Sequence, residues 1–381
     1  MKFIESPWMN EELRILENGV SRFYEQEFVP LNSKWIKQGL VDRDAWLKAG
    51  AAGLLCASVP AEYGGGGGDF RHETIIHEKQ YHAGISGFGN GVHSAIVAHY
   101  ILAYGTEAQK QRWLPKMATG EMVGAIAMTE PDTGSDLQNI KTTAINAGDG
   151  YLVNGSKTYI TNGQHADLVI VVAKTDPQER SKGISLIVVE SGTAGFEKGR
   201  NLEKLGQKAA DTSELFFSEC LVPAQNLLGG EPGKGFVQLM QQLPQERLNL
   251  SQGAVATMER AIHLTIDFVK QRKAFGRSIL DFQNTRFKLA ECKTEATIAR
   301  TFIDQCLIQH LKGALDNTTA SMAKYWSTQK QCEVVDECLQ LHGGAGYMLE
   351  YEISRIYADS RVQKIYGGTN EIMKELIGRS L

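Results

Sequence analysis

The chain has 381 residues, 42% apolar and 22% charged, with a net charge of −4; these are globular values, enough for roughly two or three domains at ~150 residues each. The slight acidic excess and the lack of a basic stripe argue against a nucleic-acid binder. Six cysteines without a Cys-x-x-Cys pair read as reduced, intracellular thiols rather than a disulfide scaffold.

From about Asn10 to Ala118 the pattern is helical. Leu13, Val20, Phe23 and Phe28 share one face of a first helix, Pro30 and Asn32 punctuate, and Trp46, Leu47, Leu54 and Leu55 mark a second. Pro60 and the run Gly64 to Gly68 read as a break too flexible for regular structure, after which Asp69 can cap a helix to about Ile85. Two more helices are expected, roughly Ser86 to Tyr104 and Glu107 to Met117. An all-helical domain over 1–121 follows.

From Val123 to about Val222 the period changes to that of strands. Ala125 to Met128 alternates small and larger residues, and then Pro131, Asp132, Gly134 and Ser135 break it, a strand running into a tight turn. Such a turn offers unpaired backbone N–H groups and the hydroxyls of Thr129, Thr133 and Ser135 to a flat ring or a phosphate; taken alone it fits an ordinary sheet turn equally well. Asp149-Gly150 and Asn154-Gly155 flank Tyr151 to Val153, with Lys157 to Thr161 as the returning strand of a hairpin. Leu168 to Ala173, Ile184 to Val189 and Leu215 to Phe217 complete an antiparallel β domain over 122–231, since no helix of crossover length separates these strands. The apolar run Leu168 to Ala173 is far short of the ~20 residues of a membrane helix. Long helices return over 232–381, a bundle of four or five with breaks at Gly276, Asp316-Asn317 and Gly343 to Gly346, and with Ile298, Phe302 and Cys306 striping a helix from about Phe282 to Leu311.

Several motifs can be set aside. Gly229-Gly-Glu-Pro-Gly-Lys-Gly235 has the wrong spacing for a phosphate loop and lacks its Ser or Thr, and His72 to His77 is one residue too long for a zinc helix, so no metal is expected. No Gly-x-Ser-x-Gly elbow or strand-led Gly-x-Gly-x-x-Gly is present. Glu246, in Leu243-Pro-Gln-Glu-Arg-Leu248, lies on an otherwise largely apolar helix, where desolvation would raise its pKa towards that of a proton acceptor. By itself it also reads as a solvated glutamate in an early helical turn.

Five stretches, in order, carry a resemblance: Ala125 to Leu137, Lys157-Thr-Tyr-Ile-Thr-Asn-Gly163, Gln271-Arg-Lys-Ala-Phe-Gly276, Gln340-Leu-His-Gly-Gly344 and Ile365-Tyr-Gly-Gly-Thr-Asn-Glu371. Together they resemble the acyl-CoA dehydrogenase family over nearly the whole chain. Many members carry the catalytic base in the last motif as Tyr-Glu-Gly-Thr, but this chain has Tyr366-Gly367-Gly368-Thr369. It is similar instead to the long-chain and isovaleryl branches, in which the base sits at the place of Glu246.

That resemblance implies an FAD enzyme forming trans-2-enoyl-CoA from a saturated, medium-to-long or branched acyl-CoA, with Glu246 taking the α-proton and flavin N5 the β-hydride. It implies Ile126, Met128, Thr129, Gly134 and Ser135 along the flavin ring, Ser135 also near the pantetheine arm, and Tyr159, Ile160 and Thr161 on the ring's other side. Arg272, Phe275, Gln283, Gln340, Leu341, Gly343 and Gly344 would meet the ADP half from a neighbouring subunit, Arg272 as a bidentate phosphate partner, and Thr369, Asn370 and Glu371 would reach it from the tail. For the glycines a helix C-cap and turn is the alternative reading. Pro244, Gln245, Arg247, Gly367 and Gly368 would border the substrate, Gly367 leaving room for the acyl chain, while Arg180 and Lys182 are candidates for the CoA phosphates. A homotetramer built as a pair of dimers, an electron-transfer flavoprotein as acceptor and no stable membrane insertion are implied as well. With no apolar signal core or Arg/Ser-rich transit pattern at the N-terminus, cytoplasm is expected and a processed mitochondrial form left open. An oxygen-using acyl-CoA oxidase, or a catalytically silent acyl-CoA and flavin binder, are the rivals.

Overall fold

The computed structural model describes residues 3–381. Its helical first part holds α1 (Glu11–Phe23), α2 (Val29–Gln38), α3 (Arg43–Ala51), α4 (Phe70–His82), α5 (Asn90–Val92), α6 (Ala98–Tyr104) and α7 (Glu107–Ala118). Asp69 with His72 and Thr106 with Gln109 form capping boxes that start α4 and α7. Pro30 does not interrupt the first helix. A π turn over Tyr24–Phe28 joins α1 to α2 and places Pro30 in the first turn of α2, where a missing N–H does no harm. Leu54 and Leu55 lie beyond the end of α3 yet are buried, Leu47 on the helix is exposed, and the helix expected from Ser86 begins only at Asn90.

The glycine run is not loose. Gly66 N–H donates to Cys56 O at 3.1 Å, Gly67 to Val59 O at 2.9 Å and Gly68 to Ala57 O at 3.0 Å, and a Cβ on Gly65 would lie 2.2 Å from Val59 O. The side chains are absent because two backbones meet there.

The middle part is a seven-stranded sheet of β1 (Gly124–Ala127), β2 (Thr143–Asn146), β3 (Gly150–Thr161), β4 (Leu168–Lys174), β5 (Ile184–Glu190), β6 (Phe196–Asn201) and β7 (Thr212–Pro223). Most pairings are antiparallel, but β1 runs parallel to β4, Gly124 opposite Leu168, because the β2–β3 hairpin and its loops give the chain room to return. The expected hairpin at Asn154-Gly155 is a bulge within one long strand: β3 continues through it along β7, and Gly155 at φ +149 presses its backbone on Thr142. The true turn is at its other end, where Ala147 N–H donates to Gly150 O at 2.8 Å. The short, polar β2 and β6 were not anticipated. β4 sends Leu168, Ile170 and Val172 into a core shared with α6, α7 and the helix that follows the sheet, and Val169 and Val171 into the sheet's own interior. Both faces are covered, so its sequence is continuously apolar.

The last part comprises α8 (Gly235–Gln271), a small hairpin of β8 (Lys273–Ala274) and β9 (Arg277–Ser278), α9 (Gln283–Leu311), α10 (Asn317–Leu341), α11 (Glu352–Ser360) and α12 (Asn370–Gly378). α8, α9 and α10 enclose a core that also takes Leu13 of α1 and Ile75 of α4, so the two helical parts share one interior. On α9 Ile303, Cys306 and Leu307 face inward while Ile298 is exposed. No helix among the described residues is long and apolar enough to cross a membrane.

Candidate active site

A cleft of about 720 Å³ opens where the sheet, α4, the segment from Phe88 to Ile96, α8 and the tail meet. One wall is the end of β1 and its turn, with Ile126, Met128, Thr129, Gly134 and Ser135, and the far end of β3 adds Tyr159, Ile160 and Thr161. The turn is held from behind. Lys157, wholly buried, donates from Nζ to Met128 O at 3.0 Å and to Glu130 Oε1 at 2.8 Å, and Glu130 also accepts from Lys141 and Thr142 N–H at 2.6 and 3.0 Å. Burial pushes the Lys157 amine down to about 8, while Lys157 itself holds the buried Glu130 below the ordinary glutamate value against its own desolvation. Tyr159 sits at a bulge with φ +61 and is 68% exposed. An aromatic residue held left-handed on a cleft wall is a strained display rather than a packing choice, and it suits the face of a flat ring.

The same cleft is lined by Glu246 on α8, 6% exposed. Its Oε1 accepts a 2.7 Å hydrogen bond from the buried Tyr100 hydroxyl of α6. Burial raises its pKa, and the Tyr100 bond and the Arg247 charge draw it partly back. The Arg247 guanidinium turns away to Ser321 Oγ at 3.1 Å and to Asn317 on α10, leaving Nε unpartnered. Tyr100 gave no signal in the sequence, because it is 146 positions from its partner and has the helical spacing of a core residue. The hydrogen bond favours the carboxylate form. Tyr100→Phe is therefore expected to move the acid limb of the kcat/KM profile to higher pH and lower the rate severalfold below neutrality; an unmoved limb would show that the bond does not tune Glu246. Arg247 and Tyr100 are the ionisable groups acting on it.

The tail closes the cleft with Tyr366, Gly367 and Gly368. Gly367 does not hold space open as anticipated: a Cβ there would lie 2.3 Å from Leu250 Cδ1, so Leu250 fills the vacated volume. Lys324, buried and brought to about 7 by burial and by Arg247, pins this turn through Gly368 O at 2.7 Å and Asn370 Oδ1 at 3.0 Å. Asn370 thus faces inward, Thr369 caps α12, and Glu371 is exposed. Among the expected substrate residues, Pro244 and Gln245 do not line the cleft, and Gln245 donates to Ala95 O at 2.7 Å. Nor do Arg272, Phe275, Gln283, Gln340, Leu341, Gly343 and Gly344. Arg272 follows the last turn of α8, ~39 Å along the axis from Glu246 at ~1.5 Å per residue, and Phe275 projects from the hairpin at 95% exposure. Arg180 and Lys182 are at the turn before β5, outside the cleft.

Family models for the N-terminal, middle and C-terminal domains of acyl-CoA dehydrogenases match residues 10–121, 125–220 and 233–381. The chain belongs to the acyl-CoA dehydrogenase family. It is 49% identical over 374 residues to the mitochondrial long-chain specific acyl-CoA dehydrogenase of Mus musculus, covering 98% of this chain and 87% of that one. The structure of an acyl-CoA dehydrogenase from Geobacillus kaustophilus superposes with a TM-score of 0.97 at 49% identity, over 99% of each chain. A glutaryl-CoA dehydrogenase from Mycobacterium smegmatis, in complex with FADH2, does so at 0.91 and 26% identity, over 98% of this chain and 95% of that one. The protein is an acyl-CoA dehydrogenase, a flavin-dependent oxidoreductase with a helical N-terminal part, a sheet in the middle and a helical C-terminal part.

Proposed function

We propose that the chain binds FAD and oxidises a saturated medium-to-long or branched acyl-CoA to the trans-2-enoyl-CoA, with Glu246 as the base. One observation carries this: a carboxylate with its pKa raised by burial lines the same cleft as the aromatic wall where a flat ring fits. When bound, a flavin against Tyr159 supplies the hydride acceptor. Glu246 takes the α-proton onto its carboxylate from the opposite side, Tyr100 holds that carboxylate in place, and the apolar flanks Ile96, Ile126 and Leu243 exclude water.

The remaining site residues fit a shared cofactor. On this chain Arg272, Phe275, Gln283 and Gln340 to Gly344 do not line the cleft, so they would serve the ADP half of a neighbouring copy's FAD. Exposed Phe275, Phe287 and Tyr347 are consistent with a covered face, and a homotetramer of paired dimers is the assembly we favour. Electrons would leave through an electron-transfer flavoprotein, and cytoplasm is the expected location. The experiment is anaerobic addition of acyl-CoAs of graded length and branching to the holoenzyme. Flavin absorbance is expected to bleach with medium-to-long or branched chains. Failure of every acyl-CoA to bleach it would overturn the reading, and peroxide formed under air without an acceptor protein would favour an oxidase.

A further inference from the structure

The tail turn that walls the cleft is held from behind. Gly367 and Gly368 both line the cleft and both lie in the left-handed region, at φ +63 and +88. Two adjacent glycines have a wider choice of backbone than any other pair, so a single shape here needs a restraint. The turn also packs beside the proposed base. A Cβ on Gly367 would lie 2.3 Å from Leu250 Cδ1, and Leu250 follows Glu246 by about one turn of α8, ~6 Å along the axis and on the same face.

The restraint comes from α10. Lys324 has no exposed surface, and its ammonium donates to Gly368 O at 2.7 Å and to Asn370 Oδ1 at 3.0 Å. These acceptors flank Thr369, whose hydroxyl caps α12 by accepting from Ile372 N–H at 3.3 Å. Asn370 Oδ1 also accepts from Thr328 Oγ1 at 3.2 Å, so what Lys324 adds is the grip on the Gly368 carbonyl. A peptide unit is planar, so fixing that carbonyl orients the whole 368–369 unit and with it the Gly368 Cα in the cleft wall. A charged donor makes this the stronger kind of hydrogen bond.

We propose that Lys324 is a positioning residue of the reaction: by gripping Gly368 O it holds the Gly367–Gly368 turn in the one conformation that sets an acyl-CoA against Glu246. Lys324 itself does not line the cleft, but α12, which it anchors through Asn370, adds Ile372 and Leu376 to the same wall. Without the grip an acyl chain still enters, and its α-carbon is no longer held within reach of the carboxylate. The loss falls on the chemical step more than on binding. The inference rests on the cleft being the acyl-CoA site.

The test is Lys324→Met, which keeps the stem and removes the donors. In the flavin-loaded variant, anaerobic bleaching at saturating acyl-CoA is expected to slow at least ~10-fold, while the half-saturating concentration moves less than ~3-fold. Deuterium uptake by the segment 366–376 should rise, with or without acyl-CoA. Thr328→Val, which removes only the other donor to Asn370, should keep the wild-type bleaching rate. If the methionine variant does not retain flavin, Lys324→Gln, whose shorter stem cannot span both acceptors, is read by the same measurements. A flavin-loaded Lys324 variant that bleaches at the wild-type rate, unchanged uptake, or an equal loss in Thr328→Val overturns the proposal. Those outcomes leave the proposed function standing if the wild type bleaches, whereas no bleaching of the wild type by any acyl-CoA defeats the reading of the cleft itself.

Discussion

Glu246→Gln is expected to lower turnover by ~10²–10⁴-fold, the usual contribution of a positioned base, or about 3–5 kcal/mol of barrier. The amide has the shape of the acid and still accepts from Tyr100, so flavin content and affinity for acyl-CoA should hold. Only the α-proton loses its acceptor. Single-turnover bleaching of the flavin separates this from slow product release, because the defect must appear in the first reductive phase. Near-normal bleaching would show that another group takes the proton. The turn of the tail offers no second carboxylate, since Gly367 and Gly368 stand there, and Glu375 of α12, which also borders the cleft, is exposed to water, so little residual rate is expected.

Arg300→Met should cost about 3–5 kcal/mol of stability, the range for removing one partner of a buried ion pair. Arg300 of α9 is buried between the two helical parts. It donates from Nε and Nη2 to Glu259 of α8 at 3.0 and 3.1 Å, and from Nη1 to Glu78 of α4. Asp304 Oδ1, which accepts from Ser6 and Trp8, also lies 3.9 Å from Nη1, so the loss of Arg300 leaves three carboxylates in the interior, of which Glu259 and Glu78 lose direct hydrogen bonds. They titrate in opposite senses because Glu259 has two bonds from Arg300 and one from His82, while Glu78 has one and faces Glu259.

Although burial alone would raise Glu259, its partners bring it to about 2. Its contribution is present above the ordinary glutamate value near 4.5 and is lost as pH falls towards 2. Burial pushes Glu78 up to about 7, so its contribution is present below 4.5 and is lost as pH rises through 7. Denaturant unfolding across pH should therefore show wild-type stability falling on both sides, and the Met variant without the acid-side fall. A variant as stable as wild type would mean that the network adds nothing to the joint.

What the sequence disclosed follows how local each signal is. The turn after β1, the capped start of α4 and the break at Asp316 are decided by neighbouring side chains and could be read directly. Asn154-Gly155 could not, because a hairpin and a bulge share that dipeptide and only contact with Thr142 distinguishes them. Pro30 was misread for a similar reason, since a π turn upstream absorbs what a regular helix would reject. In the site, Glu246 is singled out by the resemblance, since by itself it also reads as a solvated glutamate and only the fold shows its burial. Tyr100 and Leu250 were not, because their meaning lies in which elements face each other.

The five glycines between Tyr63 and Asp69 have the composition of a spot where an engineer would graft an affinity tag or a protease would nick. Stitched to the backbone of 56–59, they form a clasp instead. Lengthening that clasp would pull Cys56 and Val59 out of the interior they share with β4 and β5, so a graft here would unseat the floor beneath the sheet rather than decorate the surface.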